Sequence, residues 1–125
     1  MKDGKHVVLC VDDDQDFLDS MRTIIEGAGY IMETAPGAEQ GLKAFKAVKP
    51  DIMLVDLMME EIDSGVNFIK KIKAAGATIP IFMLSSVGDN LDQNTDYSQL
   101  GLSGVLQKPI SPKILISTLA AKLKK

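Results

Sequence analysis

Two hydrophobic periods alternate along this chain, a short run with almost no polar interruption and a longer stretch with helical spacing. Val7 to Val11 is the first run, nearly all apolar and containing three valines. It reads as a strand buried on both faces of a parallel sheet. It stops at Asp12, Asp13 and Asp14, after which Phe17, Leu18, Met21, Ile24 and Ile25 recur at helical spacing until Gly27 and Gly29 end the helix. Asp13 or Asp14 can cap that helix, with Asp14 the preferred assignment. Tyr30 to Thr34 is a second strand. Pro36-Gly37 then turns the chain into a helix with Ala38, Leu42, Phe45 and Val48 on one face, closed by Lys49-Pro50.

The pattern repeats. Ile52 to Val55 is an apolar strand ending in Asp56, and an acidic loop runs from Glu60 to Asp63. A helix starts near Ser64-Gly65, carries Val66, Ile69 and Ile72 with Phe68 beside them, and ends by Gly76. Pro80 introduces the strand Ile81 to Leu84, which terminates in Ser85 and Ser86. The stretch Val87 to Leu100 is rich in Asp, Asn and Gln; Leu91, Tyr97 and Leu100 are the anchors of a helix there. Val105 and Leu106 form the last strand before Lys108-Pro109. Ser111-Pro112 supplies an N-cap and a first helical residue for a final helix bearing Ile114, Leu115, Leu119 and Leu123. Five strands alternating with five helices predict an α/β fold, a doubly wound five-stranded parallel sheet with right-handed crossovers and helices on both faces.

Ligands of such sheets bind outside the carboxyl ends of the strands. That rule selects Asp12, Asp13, Asp56, Ser85 and Lys108, which then converge on one crevice. Three crowded carboxylates repel one another, and a hard divalent cation relieves the repulsion. Mg²⁺ suits an all-oxygen set that also meets phosphate, better than a metal that seeks nitrogen or sulfur. His6 and Cys10 lie before or within the first strand and are discounted as ligands. Aspartate is an established phosphoryl acceptor, and Asp56 is placed for that role. Phosphoryl transfer depends on positioning and on neutralising the equatorial oxygens, which Mg²⁺, Lys108 and the Ser85 hydroxyl would share.

Composition narrows the reading. A length of 125 residues with 46% hydrophobic content fits one domain, residues 1–125. No run approaches a membrane span and no signal-type segment follows the charged start, so a cytoplasmic protein without membrane insertion is expected. The single cysteine, Cys10, excludes an internal disulfide framework and reads as a small buried hydrophobe. The seven methionines read as core filler. A net charge of −3 lacks the basic footprint of a nucleic-acid binder, so no direct nucleic-acid contact is expected.

Four stretches, VVLCVDDD, DIMLVDLMM, PIFMLSS and GVLQKPIS, occur in an order and spacing that resembles the receiver domain of two-component response regulators. The resemblance covers essentially the whole chain. It implies a flavodoxin-like, CheY-like sheet of strand order 2-1-3-4-5. It also implies that Asp12 and Asp13 form the acidic pair for Mg²⁺, that Asp56 is phosphorylated, and that Met58 lends a backbone carbonyl to the metal. Ser85 matches the family's switch hydroxyl and Lys108 its lysine before a proline, with a cis peptide between Lys108 and Pro109. The implied function is phosphoryl transfer from a histidine kinase or histidine phosphotransfer protein to Asp56, which switches binding of a downstream protein effector. Such a domain catalyses only its own phosphorylation and dephosphorylation.

The chain departs from the family pattern in three places. Glu60 stands where a proline is usual and the loop to Gly65 is one residue longer, which adds negative potential beside the metal. Val105 replaces the usual aromatic, so signalling is expected to run through the segment from Ser86 to Gly101. Met58 and Val87 are apolar where polar residues could orient water, which implies a long-lived acyl phosphate. Only Lys124 and Lys125 follow the last helix, so a stand-alone phosphoacceptor is expected, with a receiver cut from a longer regulator as the close variant. Two other classes compete: a degenerate receiver used only as an interaction module, and an aspartyl-nucleophile phosphatase using Asp12 and Asp14. The phosphatase is disfavoured because the chain has no room for a cap domain.

Overall fold

A computed structural model describes residues 4–56, 64–86, 103–108 and 110–123. The run Val7–Val11 is strand β1, followed by helix α1 (Gln15–Gly27), β2 (Ile31–Ala35), α2 (Ala38–Val48), β3 (Ile52–Asp56), α3 (Ser64–Ala74), β4 (Ile81–Ser86), β5 (Gly104–Lys108) and α4 (Pro112–Leu123). The strands form one sheet in the order β2-β1-β3-β4-β5. Every neighbouring pair is parallel. The helix expected across residues 87–100, the Met58 carbonyl, the longer loop at Glu60 and the Lys108-Pro109 peptide lie outside the described residues. No helix among the described residues is long and apolar enough to cross a membrane.

The uninterrupted apolar strands have a direct cause. Successive side chains of a strand point to opposite faces, and helices cover both faces here. On one side Val8, Cys10, Leu54 and Leu84 pack with Leu18, Met21 and Ile25 of α1 and Leu115, Leu119 and Leu123 of α4. On the other, Leu9, Val11, Met53, Val55 and Met83 pack with Phe68, Ile69 and Ile72 of α3 and with Leu42 and Phe45 of α2. β5 is an edge strand, and its residues alternate between half-buried and exposed.

β2 begins one residue later than the sequence pattern suggests. The Tyr30 N–H is held by the Ile25 carbonyl at the end of α1, and the ladder starts with Ile31 N–H donating to the His6 carbonyl at 2.9 Å. β5 is longer than Val105-Leu106, because pairing with β4 continues to Ser86 opposite Lys108.

One close approach lies beside the strand that leads into the acidic rim. A Cβ added at Gly41 would lie 2.8 Å from the Phe68 ring and 3.1 Å from Val11. Both neighbours are buried, and Val11 directly precedes Asp12. Gly41→Ala is therefore expected to destabilise by about 1–3 kcal/mol through overpacking, despite the better helix propensity of alanine. Gly27→Ala, with nothing within 4 Å of the added atom, is expected to stabilise by about 0.5–1 kcal/mol. Urea melts of the two variants check the pair; effects of the same sign would contradict this packing.

Candidate functional site

Parallel pairing brings β1 and β3 to their ends together, with Val11 opposite Val55. Asp12 and Asp56 therefore meet at the carboxyl edge of adjacent strands. The Asp12 N–H donates to the Ala35 carbonyl at 3.0 Å, which fixes the backbone where β1 stops. From there the three consecutive acids divide their work. Asp12 is fully buried and its Oδ1 accepts the Asp14 N–H at 2.9 Å, closing the turn into α1. Asp14 is the N-cap, accepting the Phe17 N–H at 3.2 Å. Asp13 is left exposed.

One carboxylate oxygen from each of Asp12, Asp13 and Asp56 lies within 4.8 Å of the others, the last residue being only 6% exposed. Lys108 arrives from the end of β5. Its Nζ donates to Asp12 Oδ2 at 2.5 Å and lies 3.7 Å from Asp56 Oδ1. Burial alone would favour the neutral amine, but the hydrogen bond to Asp12 and the charges of Asp12 and Asp56 outweigh it and raise the Lys108 pKa above its ordinary value. The group is thus an ammonium at neutral pH. Among the described residues, one cation against three carboxylates leaves the rim with excess negative charge, and like charges about 4 Å apart repel by about 4 kcal/mol near a protein surface. The donors are all hard oxygens, so the set fits a hard divalent cation rather than a thiophilic one.

Ser85 is buried at the end of β4, next to Leu84, the register partner of Asp56. Cys10 is no candidate nucleophile: burial, and then the charge of Asp12, push its thiol well above the usual range. The sequence pattern assigned Phe17 only to the core face of α1, where it does pack against the buried cluster. Its ring also lies 4.3 Å from the Lys108 ammonium. The signal for that contact in the sequence is an aromatic one turn after the acids, which periodicity alone assigns to the core.

Residues 8–120 match the family model described as Response regulator receiver domain. The transcriptional regulatory protein CseB of Streptomyces coelicolor is 30% identical over 125 residues, which cover 100% of this chain and 52% of that protein. The alkaline phosphatase synthesis transcriptional regulatory protein PhoP of Bacillus subtilis is 28% identical over 118 residues, covering 94% of this chain and 48% of that one. The chain spans about half the length of these curated relatives. Among solved structures, the chemotaxis protein CheY4 of Vibrio cholerae superposes with a TM-score of 0.84 at 25% identity, covering 95% of this chain and 99% of that one. A CheY-like receiver domain protein of Methanospirillum hungatei has a TM-score of 0.86 at 24% identity, covering 97% and 95%, and shows the shared fold. The β2-β1-β3-β4-β5 sheet, the acids at its carboxyl edge and the family match agree, and the chain belongs to the receiver domains of two-component response regulators.

Proposed function

We propose that Asp56 is the phosphoacceptor of this receiver, that the chain works as one receiver unit, and that Mg²⁺ is its metal. The observation that carries the reading is the juxtaposition of the Asp56 carboxylate with Asp12, Asp13 and the Lys108 ammonium. A nucleophile buried among acids repels an incoming phosphoryl group unless cations offset it. Asp12, Asp13 and Asp56 would hold Mg²⁺ by side-chain oxygens, with the Met58 carbonyl as a further ligand. Bound Mg²⁺ supplies charge neutralisation for the phosphoryl oxygens.

In the transfer, an Asp56 carboxylate oxygen bonds to phosphorus as the phosphorus–nitrogen bond to a donor histidine breaks. The electron pair of that bond stays on the imidazole nitrogen, and the product on the receiver is an acyl phosphate. Lys108 turns its ammonium toward one phosphoryl oxygen, and the Ser85 hydroxyl donates to another. The donor is a histidine kinase or histidine phosphotransfer protein in the cytoplasm, and the phosphorylated face changes its affinity for a protein effector. CseB and PhoP are named as transcriptional regulators; in a longer protein of that kind, DNA contact would fall outside this domain of net charge −3.

Incubation with Mg²⁺ and acetyl phosphate, followed by intact mass, tests the reading. The expected result is one base-labile phosphoryl group that is absent from Asp56→Ala. A phosphoryl group retained in Asp56→Ala would move the acceptor elsewhere. No uptake by the parent chain would favour an interaction module that works without phosphorylation.

A further inference from the structure

We propose that Phe17 is a positioning residue for Lys108, its ring face holding the ammonium in the crevice between Asp12 and Asp56. The inference rests on the phosphoacceptor reading of Asp56 and extends it to a residue in the first turn of α1. Among the described residues the ammonium lies 2.5 Å from Asp12, 3.7 Å from Asp56 and 4.3 Å from the centroid of the Phe17 ring. Its side chain keeps only 15% exposure, although it stands on an edge strand.

The ring is itself well fixed. The Phe17 N–H is the donor that Asp14 caps, and the side chain packs against the core cluster that contains Leu18 and Met21. The cap that opens α1 therefore also fixes the backbone from which the ring reaches the ammonium. An aliphatic side chain in this place would strip water from the ammonium and return nothing, whereas the negative face of an aromatic ring attracts it. A third carboxylate would hold the cation more tightly but would also repel the incoming phosphoryl group. The uncharged ring confines a flexible four-carbon stem and leaves the ammonium able to turn from Asp12 onto a phosphoryl oxygen. The contribution comes through the position of Lys108, whose ammonium lies over the ring.

The test holds the shape of the side chain nearly constant while changing the charge on its face. Phenylalanine, its 4-fluoro, its 3,5-difluoro and its pentafluoro analogues are placed at position 17, and phosphoryl uptake from acetyl phosphate is timed at saturating Mg²⁺ and donor. Uptake is expected to slow stepwise with fluorination, by about three- to tenfold across the series. Phe17→Leu is expected to match the most fluorinated ring and Phe17→Trp to stay near the parent. In a Lys108→Met background the series is expected to be flat, because the cation that reads the ring is gone. A flat series with Lys108 present, or Phe17→Leu as fast as the parent, overturns the proposal and leaves Asp56 as acceptor. A parent chain that takes up no phosphoryl group overturns both.

Discussion

Lys108→Met is expected to slow phosphoryl uptake at Asp56 by about a hundredfold, the usual cost of removing one preorganised charge-stabilising donor. In metal-free buffer it is also expected to lower stability by about 3 kcal/mol, the low end for breaking a buried ion pair, because Lys108 retains some exposure. Both effects have one source. Asp12 and Asp56 are 0% and 6% exposed, and without the ammonium they face each other across the rim. Mg²⁺ should restore much of the lost stability, since it answers the same repulsion, but not the lost rate. The double variant Asp12→Asn/Lys108→Met should regain stability and remain inactive, because the asparagine oxygen still accepts the Asp14 N–H while the unpaired buried charge is gone. The pH dependence has a definite sign. The folded state raises the Lys108 pKa above 10.5, so the stabilisation is complete below that value and is lost as pH rises through the folded one. Alkali should therefore weaken the parent more than Lys108→Met. The chain has no tryptophan, so urea melts followed by circular dichroism are the suitable readout. A single variant as stable as the parent, or a double variant no more stable than the single, would refute this account.

The parts of this fold that the sequence made legible are those where one physical demand dominates. β1, β3 and β4 are covered on both faces, which forces unbroken apolar runs such as Ile52 to Val55. Asp14 was legible as a cap because its neighbours Asp12 and Asp13 sit closer to the strand end. Boundaries were less legible. Tyr30 has a strand former's side chain, yet its N–H completes the last turn of α1, and no local preference records which of the two wins. Edge strand β5 was found only at its apolar centre, because Gln107 and Lys108 belong to the ladder through pairing with β4.

The site was legible to the extent that topology could be guessed. Once the strands are parallel, Asp12, Asp13, Asp56, Ser85 and Lys108 must all lie at one edge, and the structure brings the four charged residues among them together. What topology does not determine is which oxygen each group engages. That Asp12 carries both the turn into α1 and the ion pair to Lys108 depends on geometry accurate to a fraction of an ångström. The Phe17 contact was hidden for a different reason: one side chain meets two demands, core packing and a cation, and its helical spacing betrays only the first.

Asp13→Asn is expected to act in opposite directions in the metal-free and metal-bound states. Asp13 is the exposed member of the three carboxylates. Removing its charge should slightly raise metal-free stability by relieving repulsion at the rim. In the proposed site the same charge would attract Mg²⁺, and its loss should weaken affinity by about ten- to a hundredfold. Asp12 cannot serve for this experiment, because it also receives the Lys108 ammonium, so removing its charge would break the ion pair along with the metal site. Binding to the folded state alone stabilises the parent by about 2.7 kcal/mol when Mg²⁺ stands at a hundred times its dissociation constant. At that concentration the Asn variant should gain only about 0.4 to 1.4 kcal/mol, so the two stability curves cross as Mg²⁺ is added. Urea melts across a Mg²⁺ series, with calorimetric titration for affinity, provide the measurement. Parallel curves for parent and variant would show that Asp13 contributes nothing to the metal, and the oxygen set assigned to it would have to be redrawn around Asp12 and Asp56 alone.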